Sequence, residues 1–257
     1  MTDANANAGV RVPKPKDIDD LLAELPDHAR PVSEALLTRR SVRGFLSDPV
    51  PRDTVEHILR TAARAPSGSN IQPWHVVAVT GNVRDEVAAA VRHAATTDAE
   101  AHTAQYVYYP QTWRAPYIDR RRATGWGLYG TLGIEKGDKA RMAAQHMRNF
   151  DLFDAPVGLF ITMDRDMETG SWLDTGTFVQ SIMIAARAHG LDTCPQQAWS
   201  RYWRVIFPLL DIADDQILVC GMALGRADPH APANDFWTER EPLASYARLE
   251  GFGDASP

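Results

Sequence analysis

The sequence predicts a three-layer fold of the α+β or α/β class, and three observations carry that expectation. Helical and strand patterns mix along the 257 residues without any internal repeat. The stretch "QILVCGMALG", Gln216 to Gly225, is a near-continuous apolar run, as expected of a central strand covered on both faces. The helical pattern from Trp172 to His189 carries Phe178, Val179, Ile182, Met183, Ala185 and Ala186. Apolar residues therefore cover most of its circumference, so it must be enclosed on every side, by this chain or by a partner.

The other elements follow from local signals. Ser33 is placed to cap a short helix running through Leu36 and Leu37 into Arg39. Asp53 starts a second helix, with Val55, Ile58, Leu59 and Ala62 at i, i+3, i+4 and i+7, and Pro66, Ser67 and Gly68 end it. "HVVAV" (His75 to Val79) predicts a buried strand, followed by a helix around Val83, Val87 and Val91. "VGLFITM" (Val157 to Met163) predicts another strand, and Gly190 closes the long apolar helix. Between these, 106–133 is aromatic and basic and predicts a helical excursion or lid. Residues 227–257 are loop-rich with several prolines and predict an extended arm, while 1–30 predict a flexible tail.

Composition excludes several classes of function. With 33 acidic against 27 basic residues the net charge is -6, which argues against a nucleic-acid binder, since such proteins need a continuous basic face. No stretch reaches the ~18 apolar residues of a membrane span and the opening residues lack an apolar leader core, so a cytoplasmic location without membrane contact is expected. One domain per ~150 residues leaves one large or two small domains open. Cys194 and Cys220 lie in or beside apolar runs without ligand spacing and predict reduced core thiols. The eight histidines form no metal-binding pair, so no metal is expected. Gly125, Gly127 and Gly130 satisfy G-x-G-x-x-G, but the residues before them, Arg120 to Thr124, are not the apolar strand that a dinucleotide fingerprint requires. Ser67 sits in a tight turn without a recognisable His and acid partner, and there is no G-x-S-x-G elbow.

"RRSVRGF", Arg39 to Phe45, places three guanidiniums within five residues of an acidic chain. One reading is a solvated charge run meeting the dipole of a helix C-terminus. The other is an anion clamp: two bidentate forks beside the Ser41 hydroxyl suit a terminal phosphate, at ~1.5–3 kcal/mol per charge-assisted bond.

Four blocks, "RRSVRGF", "APSGSNIQPWHVVAV", "GLDTCPQQAW" and "GMALGRADPHAPANDFWTEREPL", resemble in order the signatures of the FMN-dependent nitroreductase superfamily, over about Pro31 to Leu243. The lid piece "YIDRRRATGWGLYGTLGIEKGD" looks like the nitrobenzoate-reductase type of the bacterial branch. The resemblance implies a single α+β domain over 31–257, a three-layer sandwich with a mixed central sheet flanked by helices, in an intertwined homodimer with FMN at the interface.

It also implies roles. Arg39, Arg40, Ser41 and Arg240 would take the FMN phosphate, with Gly225 and Arg226 close by, and Arg43 would sit at the pyrimidine edge of the isoalloxazine. Pro66, Ser67, Gly68, Ser69 and Asn70 match a wall usually contributed by the other subunit. Pro195, Gln196 and Gln197 match the stretch passing flavin N5, where this sequence has Gln-Gln in place of the Glu-Gly pair often found. Trp113, Tyr117, Arg121, Trp126 and Tyr129 would form the substrate wall. The implied activity is ping-pong transfer of hydride from NADPH or NADH through FMN to a nitroaromatic. The alternatives are a quinone, ene or flavin reductase, or a non-catalytic flavin binder. The Arg120 to Arg122 cluster leans the nicotinamide expectation toward NADPH.

Overall fold

In a computed structural model, which describes residues 12–252, four strands form one sheet. They are β1 (Trp74–Thr80), β2 (Val157–Asp164), β3 (Asp192–Gln196) and β4 (Gln216–Gly225), in the spatial order β1-β2-β4-β3. Every neighbouring pair is antiparallel. Parallel pairing among the described residues is limited to the isolated bridges of Ser41 with Thr193 and of Val12 with Phe236. The mixed character expected of the sheet thus comes down to single bridges, one of them made by Ser41 along the outer edge of β3.

Alternation along the strands divides the core in two. On one face Phe160, Leu218, Ala223 and Cys194 pack against α4 (Gly81–Thr97) and α8 (Trp203–Leu210) through Val87, Val91, Ile206 and Phe207. On the other, Leu159, Ile161, Met222 and Leu224 pack against α3 (Arg52–Ala62) and α7 (Thr169–Ala188) through Val55, Ile58, Phe178 and Ile182. Each large aliphatic or aromatic side chain so enclosed contributes ~1.5–3 kcal/mol relative to exposure. This is the three-layer arrangement of the α+β class, and β4 is the doubly covered central strand that its apolar run announced.

Other boundaries differ from the sequence reading for identifiable reasons. β1 is an edge strand, paired on one side, and most of its residues are partly or fully exposed. An apolar edge strand and a buried one look alike in sequence. The second helix, α2, spans Arg30–Thr38 and not Ser33 onward; Pro31 occupies its first turn, where its fixed φ suits the helix start, and Ser33 caps nothing. Part of the expected tail is ordered as α1 (Asp17–Ala23), which buries Ile18 and Leu22 one turn apart. The rest of that expectation, for residues 1–11, and the arm's end, 253–257, lie outside the described residues. In the lid segment, helix forms only from α5 (Tyr117–Thr131), followed by α6 (Lys139–Met147). The arm beyond Ala227 contains only short 3-10 turns among its described residues.

At the sheet's centre, Trp199 is 0% exposed, and its indole meets Phe150 and Phe160 edge-on at centroid distances of 5.4 and 5.2 Å. The strand passes so close that a Cβ on Gly221 would stand 2.4 Å from Trp199 Cδ1. Both groups are fixed by close packing, so neither can yield cheaply. Gly221→Val is expected to lower stability by about 3 kcal/mol, the upper end of the usual cost of overpacking. Urea unfolding checks this, and an unchanged midpoint would contradict the packing described.

Candidate functional site

The site grows from the free edge of β3. α2 ends at Thr38, and the chain turns extended at Arg39. Ser41 bridges Thr193, and Val42 N–H donates to the Thr193 carbonyl at 3.1 Å, so the arginine loop runs along the strand edge. Phe45 N–H then donates to the Phe153 carbonyl, and Leu46 N–H to that of Arg226 at 2.9 Å, where the C-terminal arm leaves the sheet.

Asn234, 5% exposed, ties the arm back onto this loop. Its Oδ1 accepts from Arg43 N–H at 2.8 Å, and its Nδ2 donates to the carbonyls of Gly44 at 2.8 Å and Asp228 at 2.9 Å. The Arg40 guanidinium donates to the Asn234 backbone carbonyl and lies 4.5 Å above the Trp237 ring. Gly44 is needed here, because its Cβ would stand 2.3 Å from Ala231 Cβ.

This stitching concentrates positive charge. Arg39 is held below its ordinary value by burial and then by Arg240, and its Nε is buried without a hydrogen-bond partner. Arg40 is lowered chiefly by burial, with Asp192 and Asp235 opposing and Arg187 adding to the depression. Arg187 pairs with Asp192 at 2.7 Å, although its Nε, like that of Arg39, is buried without a hydrogen-bond partner. Arg39 and Arg240 have no carboxylate partner among the described residues; Arg240 donates only to oxygens of Thr238 and Glu239. A part-buried guanidinium at Arg39 facing the exposed one of Arg240 is an unfavourable arrangement that an anion between them would relieve. Beside them the Cys194 thiol, which donates to the Pro195 carbonyl at 3.9 Å, is pushed up by burial and stays protonated.

A cavity of about 550 Å³ opens next to this cluster. Arg43, Cys194, Pro195, Gln196 and Gln197 line one side, and Tyr106, Tyr108, Tyr109 and Trp172 another. Arg43 is steadied by donating to the Ser41 carbonyl at 3.2 Å. His146 also lines the cavity; burial first, then Arg201, lowers it, so its ring is neutral at pH 7.

The expected site residues therefore separate into groups. Arg43 and Pro195 to Gln197 reach the cavity, while Arg39, Arg40, Ser41 and Arg240 cluster beside it. Gly225 serves packing, its Cβ position being 2.7 Å from Pro156 Cδ, and Arg226 offers its backbone carbonyl to Leu46. Pro66 to Asn70 stand apart from this cavity. Pro66 lines a second, shallower pocket with Leu173 and Gln180, Gly68 N–H donates to the Asp174 carboxylate at 3.2 Å, and Ser69 and Asn70 take positive φ of 51° and 60°.

The expected aromatic wall lies away from this chain's own cavity. Trp113, Tyr117, Arg121, Trp126 and Tyr129 do not line the cavity. The α5 helix packs on the arm instead, where a Cβ on Gly127 would stand 2.3 Å from Phe236. Arg121 lies over Trp113 at 4.8 Å and over Tyr109 at 5.5 Å. The loop "QYVYY" supplies the wall, anchored by Gln105. That side chain donates to the Gln216 carbonyl at 2.8 Å and accepts from Leu218 N–H at 2.9 Å, and Tyr106 Oη donates to the Val219 carbonyl. These bonds span distant parts of the chain. The sequence offered only the run of tyrosines as a signal for the wall, and nothing that separates Asn234 from a surface asparagine.

Asn234→Ala strands two backbone groups of the loop, at ~1–3 kcal/mol each if they stay dry. Tryptic cleavage within the arm should accelerate about 30-fold or more, with the overall circular dichroism unchanged. Equal cleavage rates would show that the arm is held by other contacts.

The Nitroreductase family profile matches residues 36–226. The chain is 38% identical over 215 residues to the nitrobenzene nitroreductase of Ectopseudomonas oleovorans, covering 84% of this chain and 95% of that protein. It is 37% identical over 232 residues to the 4-nitrobenzoate reductase of Nocardioides sp. (strain LMS-CY), covering 89% and 93%. Among solved structures, the FMN and NADPH-dependent nitroreductase NfnB from Sphigopyxis sp. strain HMH superposes with a TM-score of 0.83 at 40% identity, over 86% of this chain and 99% of that one. The FMN-dependent nitroreductase NfnB of Mycobacterium smegmatis, solved in complex with NADPH, gives a TM-score of 0.83 at 30% identity, over 87% and 99%. With the profile spanning most of the chain and such relatives aligned along nearly all of it, this protein belongs to the nitroreductase family.

Proposed function

We propose that the protein is an FMN-dependent oxidoreductase that takes reducing equivalents from NADPH or NADH and delivers them to nitroaromatic compounds. One observation carries the reading: Arg39 and Arg240, from opposite ends of the chain, come within electrostatic reach of each other without a carboxylate partner among the described residues, beside a cavity walled by aromatic rings. The donor set suits a phosphate monoester, and the cavity suits a flat ring system. The relatives' names, which specify nitrobenzene and nitrobenzoate reduction and dependence on FMN and NADPH, support the same assignment.

FMN, held here, would supply the redox chemistry. The rest falls to this chain's side chains. Arg39, Arg40, Ser41 and Arg240 hold the phosphate; the Arg39 Nε without a partner fits that duty. Arg43 brings a cation to the pyrimidine edge, where it favours negative charge on the ring. Pro195, Gln196 and Gln197, at the end of β3, pass the redox edge. Tyr106, Tyr108 and Tyr109 cover the open side and exclude water. A single cavity must serve both substrates in turn, which requires ping-pong kinetics.

The working unit is a homodimer. Leu173 on α7 is 73% exposed, and Leu243, Tyr246 and Phe252 of the arm are exposed too, so apolar surface on both elements awaits cover. Pro66 to Asn70, which do not line this chain's own cavity, would wall the partner's flavin. Reduced thiols Cys194 and Cys220, both buried, suit a cytoplasmic setting. No helix among the described residues is long and apolar enough to cross a membrane.

Purified protein should show flavin absorption bands and run as a dimer, and NADPH should bleach the bands anaerobically. Arg39→Ala should weaken FMN binding about 10- to 150-fold, the worth of one charge-assisted bond. Arg43→Ala should keep the flavin but slow its reduction. Protein that stays colourless and monomeric with excess FMN refutes the assignment. Faster turnover of a quinone or free flavin than of a nitrobenzoate would move the substrate class.

A further inference from the structure

Gln197 and Tyr106 form a unit whose polarity is fixed by chemistry. Tyr106 Oη donates its one proton to the Val219 backbone carbonyl, a group that can only accept. Toward Gln197 it can therefore only accept, so the Gln197 Nε2 faces it. Ser200 repeats the logic: its hydroxyl donates to the Gln197 backbone carbonyl at 2.9 Å and accepts from Gln197 Nε2 at 2.9 Å. Two hydroxyls, each with its proton committed to a carbonyl, fix which end of the amide is nitrogen. That assignment is normally ambiguous for glutamine.

Both Nε2 protons are thereby used, and Oε1 is left. Gln197 lines the cavity, it is only partly buried, and its Oε1 has no hydrogen bond among the described residues. Its neighbour Gln196 lines the same cavity but is 3% exposed: its Nε2 donates to the Asn149 carbonyl at 2.7 Å, and its Oε1 is buried without a partner among the described residues. Of the tandem glutamines, Gln197 is the less buried one, so its oxygen is the one a bound ring can reach. Tyr106 is itself immobilised, its ring 4.3 Å from that of Trp172, and burial pushes its phenol far up, so its proton is retained.

We propose that Tyr106 is a positioning residue that holds Gln197 so that its side-chain carbonyl accepts a hydrogen bond from an N–H present only on the reduced flavin. This rests on the flavin reading above. On the oxidised ring N5 is an acceptor, and on two-electron reduction it gains a hydrogen and becomes a donor. A fixed neutral acceptor therefore distinguishes the two states and favours the reduced one.

The test is a double-mutant cycle read in the flavin's midpoint potential and in its affinity for the protein in each redox state. Gln197→Leu should lower the ratio of reduced to oxidised FMN affinity about tenfold, a shift of about 30 mV to more negative potential for a two-electron couple. Tyr106→Phe keeps the ring on Trp172 and should lower the ratio about threefold. In the Gln197→Leu background Tyr106→Phe should add nothing. Unchanged ratios overturn the proposal, as does a Tyr106→Phe effect that persists without Gln197. A loss confined to NADPH binding would give the oxygen to the nicotinamide carboxamide and equally overturn it. If Tyr106→Phe does not fold, Ser200→Ala takes its place in the cycle. Wild-type protein that binds no FMN sinks the underlying reading as well, whereas tight FMN with flat ratios sinks this inference alone.

Discussion

The side chain of Asn234 joins the C-terminal arm to the arginine loop, and the rest of the site depends on that junction. Three hydrogen bonds from one amide are geometrically exacting, and their burial makes each costly to leave unmade. They bring Arg240 within electrostatic reach of Arg39 and lay Trp237 under Arg40. The free energy of folding elsewhere in the chain thus holds like charges together, so the donors proposed for the phosphate are already assembled and would need little reorganisation on binding.

The sheet supplies the rigidity. β2 and β4 carry apolar side chains on both faces, and two separate cores grip them, so the ends of these strands are fixed relative to one another. β3 is short and lies at the edge, with one side on β4 and the other on the arginine loop. Its last residues are held from both sides, and the chain then turns out with Gln197 at the cavity. A precise backbone path at this point is what chemistry at one ring atom requires.

Sequence periodicity made the local pattern legible. β2, β4 and α7 could be read because their partners cover them on all or most sides and their composition says so. β1 carried the same apolar signal while sitting at an edge, because composition does not record how many neighbours a strand has. The arginine loop was legible from its charge alone. The tyrosine wall was not: α5 has as many aromatic residues, but a close approach of Gly127 to Phe236 turns it toward the arm. Which aromatic segment faces the cavity is decided by Gln105 bonding β4, a contact across the fold that no local pattern reports.

That contact has another side. β3 pairs with only the last five residues of β4, and the remaining edge is completed by two side chains, Gln105 and Tyr106, instead of a strand. An open ladder there would invite foreign strands, so the substitution protects the monomer from aggregation while it folds. It also decouples shape from scaffold. Because the tyrosine wall is pinned at one end by two residues, the stretch after Tyr109 is free to lengthen, shorten or change character among descendants without breaking a single bond of the sheet.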